Sequence, residues 1–87
     1  MKLKYEFSVR NVVGEHILVP LGEGALAFSG IITTNEVGAF LMELLGQEIG
    51  YDTLLSRVLE NYEVDEATAR ADLDEFLDYL GQLSLLE

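Results

Sequence analysis

Eighty-seven residues, 49% hydrophobic and 24% charged with a single proline, fit one domain spanning 1–87 with one small core, and exclude a disordered tail, a collagen-like repeat and a linker. Sixteen acidic against five basic residues give a formal charge of −11 and an isoelectric point near 4.2; the five scattered cations, Lys2, Lys4, Arg10, Arg57 and Arg70, form no phosphate-binding patch, so nucleic acids and anionic membranes give way to basic peptides or the basic face of a partner enzyme. Without cysteine, a secretory signal or an apolar run near the ~20 residues a bilayer requires, the chain is expected to be soluble and cytoplasmic, with no disulfide, thiolate metal site or cysteine nucleophile.

Up to about residue 33, β-branched and aromatic residues come in short runs separated by glycine. Phe7 to Val13, His16 to Leu21 and Ala25 to Ile32 read as three strands. Gly14-Glu15 is short enough to close a hairpin, and Gly22-Glu23-Gly24 supplies positive φ for a second tight connection. The expectation is a three-stranded antiparallel meander. Pro20 lacks a ladder N–H and belongs at a strand end or on an edge.

From residue 34 the apolar spacing becomes helical. Val37, Phe40, Leu41, Leu44 and Leu45 mark a first amphipathic helix, with Thr33, Thr34 or Asn35 as candidate N-caps and Gly46 as its stop. Leu54, Leu55, Val58, Leu59 and Tyr62 mark a second, from about 52 to 62. A third begins behind Asp65 as cap and buries Ala69, Leu73, Phe76, Leu77, Leu80 and Leu83, while Asp72, Glu75 and Asp78 line its outer side. Leu85 and Leu86 follow as a short apolar tail. Three strands followed by three helices make an α+β domain of winged-helix type, a small sheet on a three-helix bundle.

Few constellations here carry chemistry. His16, beside Glu15, is the only histidine, and no second or third group converges on it in sequence, so a surface histidine is the simpler reading. Ser8, Ser29, Ser56 and Ser84 lie in no nucleophile motif. Asp72, Asp74, Glu75 and Asp78 read as a solvated acidic face, and Gly22-Glu23-Gly24 lacks the helix and lysine of a phosphate loop. No catalytic residue, metal ligand or cofactor site is assigned. What remains is binding: the apolar, small-residue run from Ala25 to Ile32 ends the meander, and it is either an exposed edge open to an added strand or an ordinary strand covered by the third helix.

The whole chain resembles the PqqD-like family, that of coenzyme PQQ synthesis protein D, also called the RiPP precursor recognition element. The resemblance covers roughly residues 9 to 87. It is carried by Val12-Val13-Gly14-Glu15-His16 with Ile17-Leu18-Val19-Pro20 at the hairpin. Thr34-Asn35-Glu36-Val37-Gly38-Ala39-Phe40-Leu41-Met42-Glu43-Leu44-Leu45 stands at the first helix, Tyr62-Glu63-Val64-Asp65 before the last, and Asp72-Leu73 with Phe76-Leu77 and Leu80 within it. The order and spacing of these segments together carry the match.

The resemblance implies a noncatalytic domain that binds the leader of a ribosomally made precursor peptide as an added strand, in a groove between the third strand and the third helix. The domain then presents the peptide to a modifying enzyme, often a radical S-adenosylmethionine protein, as in PQQ and other natural product biosynthesis. Carried onto this chain, the strand partners are Leu26, Ala27, Phe28, Ser29, Gly30 and Ile31. The helix wall is drawn from Arg70, Leu73, Asp74, Leu77, Asp78 and Gly81, of which 70, 74, 77 and 81 share one flank. Three features depart from the family pattern. Tyr51 replaces the usual capping Ser/Thr, so the second helix is expected to start one residue later; Leu83-Ser84 replaces a frequent Arg-Gly; and Gly30 interrupts the third strand.

Two rivals share some of these traits. A winged-helix DNA-binding regulator would have to bring Asp72, Asp74, Glu75 and Asp78 against phosphates. An acyl-carrier-like protein needs Asp-Ser-Leu, and the nearest contexts are Leu55-Ser56-Arg57 and Leu83-Ser84-Leu85. An exposed strand edge also allows self-pairing into a homodimer.

Overall fold

The sheet starts from a two-residue turn. In the computed structural model, which describes residues 1–28 and 30–87, Val13 and Gly14 both take positive φ, 49° and 79°, the combination a type I′ hairpin needs. They join β1 (Phe7–Val12) to β2 (Glu15–Pro20) in antiparallel register from Val12↔Glu15 to Phe7↔Pro20. The turn pair therefore sits one residue earlier than Gly14-Glu15. Pro20, the last residue of β2, falls at a strand end as expected.

The third strand is where sequence and structure part. Glu23–Ala27 is a short helix, α1, and β3 is confined to Ile32–Thr34, paired with β2 through His16↔Thr34, Ile17↔Thr33 and Leu18↔Ile32. The expected strand from Ala25 to Ile32 is corrected accordingly. Gly22 enters α1 with φ 56°, and the Phe28 N–H closes the turn on the Gly24 carbonyl at 2.8 Å. Gly24 is buried so closely that a Cβ there would stand 2.7 Å from Tyr5 Cβ and 3.4 Å from Pro20 Cβ. That long-range packing, with the good helix formers Ala25, Leu26 and Ala27, folds the segment back. Sheet order is β1-β2-β3, so the meander itself is as expected.

The three later helices follow the periodicity. α2 (Glu36–Leu44) is capped by Asn35, whose Oδ1 accepts from the Gly38 N–H at 2.8 Å; Thr33 and Thr34 belong to β3 instead. α3 (Tyr51–Asn61) starts at Tyr51, not one residue later, because extended Gly50 acts as N-cap and its carbonyl accepts from the Leu54 N–H at 3.1 Å. α4 (Glu66–Gln82) is capped by Asp65, whose carboxylate accepts from the Thr68 N–H at 3.2 Å and from Thr68 Oγ1 at 2.7 Å. Both contacts hold the Asp65 carboxyl below its usual value.

Leu18 of β2 and Ile32 of β3 meet Leu41, Leu45, Leu54, Leu73 and Leu80 in one core. Each such side chain contributes about 1.5–3 kcal/mol. Leu85 belongs there too, and Leu86 pairs with Leu3, so the apolar tail closes the core against the N-terminal segment. The Lys4 N–H donates to the Leu85 carbonyl and the Glu87 N–H to the Lys2 carbonyl, both at 2.8 Å. Among the described residues no helix is long and apolar enough to cross a membrane.

Candidate functional site

β3 is the last strand of the sheet, so one of its edges carries no strand partner among the described residues. Beside that strand lies an open groove of about 520 Å³. Ile32, Thr33 and Thr34 line it from the sheet; Val37, Gly38 and Leu41 line it from α2; and Asp72, Glu75, Phe76, Asp78, Tyr79 and Gln82 line it from α4. Spacing explains the last set. Positions 72, 75, 76, 79 and 82 recur at three and four residues on one flank of α4, while Leu73 and Leu80 point into the core.

The close packing of α2 depends on Gly38. A Cβ at that position would meet Thr34 Oγ1 at 1.9 Å and Phe76 Cε1 at 3.2 Å, so glycine lets β3, α2 and α4 meet at this side of the groove. Val37, Leu41 and Asp72 also line a smaller cleft of about 260 Å³, bounded further by Val58, Tyr62, Val64, Ala69 and Leu73. Tyr62 packs edge-on against Phe40 with ring centroids 5.5 Å apart, and desolvation, followed by the charges of Glu36 and Glu43, raises its phenol pKa.

The groove is acidic. Its lining holds Asp72, Glu75 and Asp78 but no lysine, arginine or histidine among the described residues. Arg70, the only cation on α4, points elsewhere: it forms an ion pair with Glu66 at 3.3 Å and lies 5.8 Å from the centroid of the Tyr51 ring. Asp74 is on that same side, accepting from the Tyr51 hydroxyl at 2.5 Å. That hydrogen bond, more than partial burial, raises the Tyr51 pKa.

The expected site residues are therefore dispersed. Leu26 and Ala27 lie on α1, with Leu26 89% exposed. Phe28 is half-buried against the core, Gly30 is exposed with φ 143°, and Ile31 is exposed just ahead of β3; Ser29 lies outside the described residues. Arg70 and Asp74 face Tyr51, Leu73 is core, Leu77 packs against the core, and Gly81 is exposed with open space around it. Asp78 lines the groove. Asp72, Glu75, Phe76, Tyr79 and Gln82 of the third helix, none of them among the wall residues expected from the sequence, line the groove. The helical period alone does not say which flank of α4 faces the sheet. Among the described residues, no three His, Cys, Asp or Glu side chains converge to hold a metal ion.

The chain matches the family profile "Coenzyme PQQ synthesis protein D (PqqD)" over residues 15–86. No curated protein matches it significantly. Its structure is similar to that of TbiB1 in complex with the TbiA(beta) leader peptide, with a TM-score of 0.71 and 25% sequence identity over 100% of this chain and 95% of that one.

Proposed function

The chain belongs to the PqqD family, and we propose that it is a noncatalytic chaperone that captures the leader of a ribosomally made precursor peptide. The leader adds as a strand beside β3, and the domain presents the rest of the peptide to a modifying enzyme, of radical S-adenosylmethionine type. The observation that carries this reading is the groove running from β3 to α4. Its walls supply apolar and aromatic contacts from Val37, Phe76 and Tyr79, and an edge strand supplies main-chain hydrogen bonds that a peptide of any sequence can use.

The likeness to TbiB1, whose structure holds a leader peptide, supports the same reading. In the chain, exposed Gly30 and Ile31 lie directly ahead of β3, beside the proposed docking strand. The test is an amide chemical-shift titration with leader peptides encoded by short reading frames beside the gene. Shifts clustered on residues 30–34 and 72–82 are expected. Peptide-induced shifts confined to the other faces would overturn the placement, and a response only to a neighbouring maturase would make the domain an enzyme-binding adaptor.

A further inference from the structure

We propose that the β3–α4 groove selects extended segments carrying lysine or arginine at alternate positions on the side turned toward α4. This rests on the peptide-capture reading above and adds the chemistry of the occupant. Asp72, Glu75 and Asp78 stand along the groove wall without a cation beside them, while Arg70 is drawn to the Tyr51 side of the same helix. The outer two carboxylates are six positions apart, about 9 Å along a helix axis. In an extended peptide, side chains on one face recur every ~6.7 Å, so two cations placed two residues apart both fall within reach of this row.

Two further features favour the same charge. Tyr79 is 45% exposed on the groove, and an aromatic face attracts a lysine ammonium or arginine guanidinium. The last turn of α4 holds no basic residue, so no side chain there repels a cation near Gln82. The groove supplies the binding surface; the carboxylates decide which peptides gain by entering it.

The experiment selects a random decapeptide display library on the immobilised full chain, then repeats the selection on two variants of equal charge change. One carries Asp72→Asn, Glu75→Gln and Asp78→Asn in the groove. The other carries Glu15→Gln, Asp52→Asn and Glu60→Gln away from it. Enrichment of lysine or arginine at alternate positions is expected, with affinity falling about tenfold for the groove variant and staying within about twofold for the other. Equal losses in both variants would show general attraction to an acidic surface and overturn the proposal. Enrichment of peptides without cations would overturn the proposal and leave peptide capture standing. Failure to enrich any peptide would overturn both.

Discussion

Gly38 and Thr34 are packed so tightly that a Cβ on Gly38 would stand 1.9 Å from Thr34 Oγ1. The pair joins the start of α2 to the final residue of β3, at the side of the groove. Gly38→Ala must push β3 and α2 apart or turn Thr34 out of its rotamer, an overpacking cost of about 1–3 kcal/mol. In a urea titration the midpoint is expected to fall. Removing the hydroxyl with Thr34→Ala relieves the closest contact, so the double variant should be more stable than the sum of the two single effects, and strict additivity would argue against this contact.

The hairpin turn holds a correctable strain. Val13 is 98% exposed and has φ 49°, a left-handed conformation that β-branched residues disfavour. Asn-Gly is the preferred pair for a type I′ turn, and Gly14 already occupies the second position. Val13→Asn is expected to raise stability by about 1 kcal/mol without changing the denaturant slope. A lower midpoint would show that the valine makes a compensating contact.

The Asp65 cap makes part of the stability acid-sensitive. Its carboxyl is held below the usual value chiefly by the Thr68 hydroxyl and then by the Thr68 N–H. A depressed folded pKa contributes stability that is complete above the unfolded value, near 3.8, and is lost as pH falls through the lower folded value. Asp65→Ala should therefore lower Tm at neutral pH, and the gap from the parent should narrow below about pH 4. A gap that stays constant down to pH 2 would remove the cap from acid unfolding.

How far the fold can be read in advance depends on how local its causes are. Val37, Phe40, Leu41 and Leu44 repeat at helical spacing, Asn35 and Asp65 are good caps, and the structure uses them accordingly. α1 is hidden from a local reading because Gly24 packs under Tyr5, a residue of the N-terminal segment that no local window around α1 contains. Ala25, Leu26 and Ala27 did offer a signal through their helix propensity. On α4 the period shows that Leu73 and Leu80 face inward, but both neighbouring flanks fit that rule equally well. The choice is made by tertiary packing, in which Tyr51 engages Arg70 and Asp74 on one side and Gly38 admits Phe76 on the other.

That division can be tested by separating stability from binding. The Tyr51 hydroxyl donates to Asp74, and this hydrogen bond is the main cause of the raised phenol pKa. Its contribution is complete below the unfolded pKa, near 10, and is lost as pH rises through the higher folded value. Tyr51→Phe should lower Tm at pH 7, with less difference at strongly alkaline pH, and leave affinity for a captured peptide unchanged. Tyr79→Ala, on the groove side, should weaken that affinity several-fold with little change in Tm. The reverse pattern would place peptide recognition on the Arg70–Asp74 flank.

The C-terminal leucines provide a test of the core itself. Leu85 is 1% exposed, and its carbonyl accepts from the Lys4 N–H, while Leu86 pairs with Leu3. Leu85→Ala removes buried methyl groups and leaves a cavity between α4 and the N-terminal segment, at a cost of about 2–5 kcal/mol. A domain of this length has only about 4–13 kcal/mol in total, so the variant should lose a large share of its stability. Hydrogen exchange then locates the damage: amides of Leu3 and Lys4, which donate to Leu45 and Leu85 carbonyls, should lose protection along with those of α4. Full protection at Leu3 and Lys4 in a destabilised variant would show that the N-terminal segment is held by Leu45 and the end of α2 without the tail.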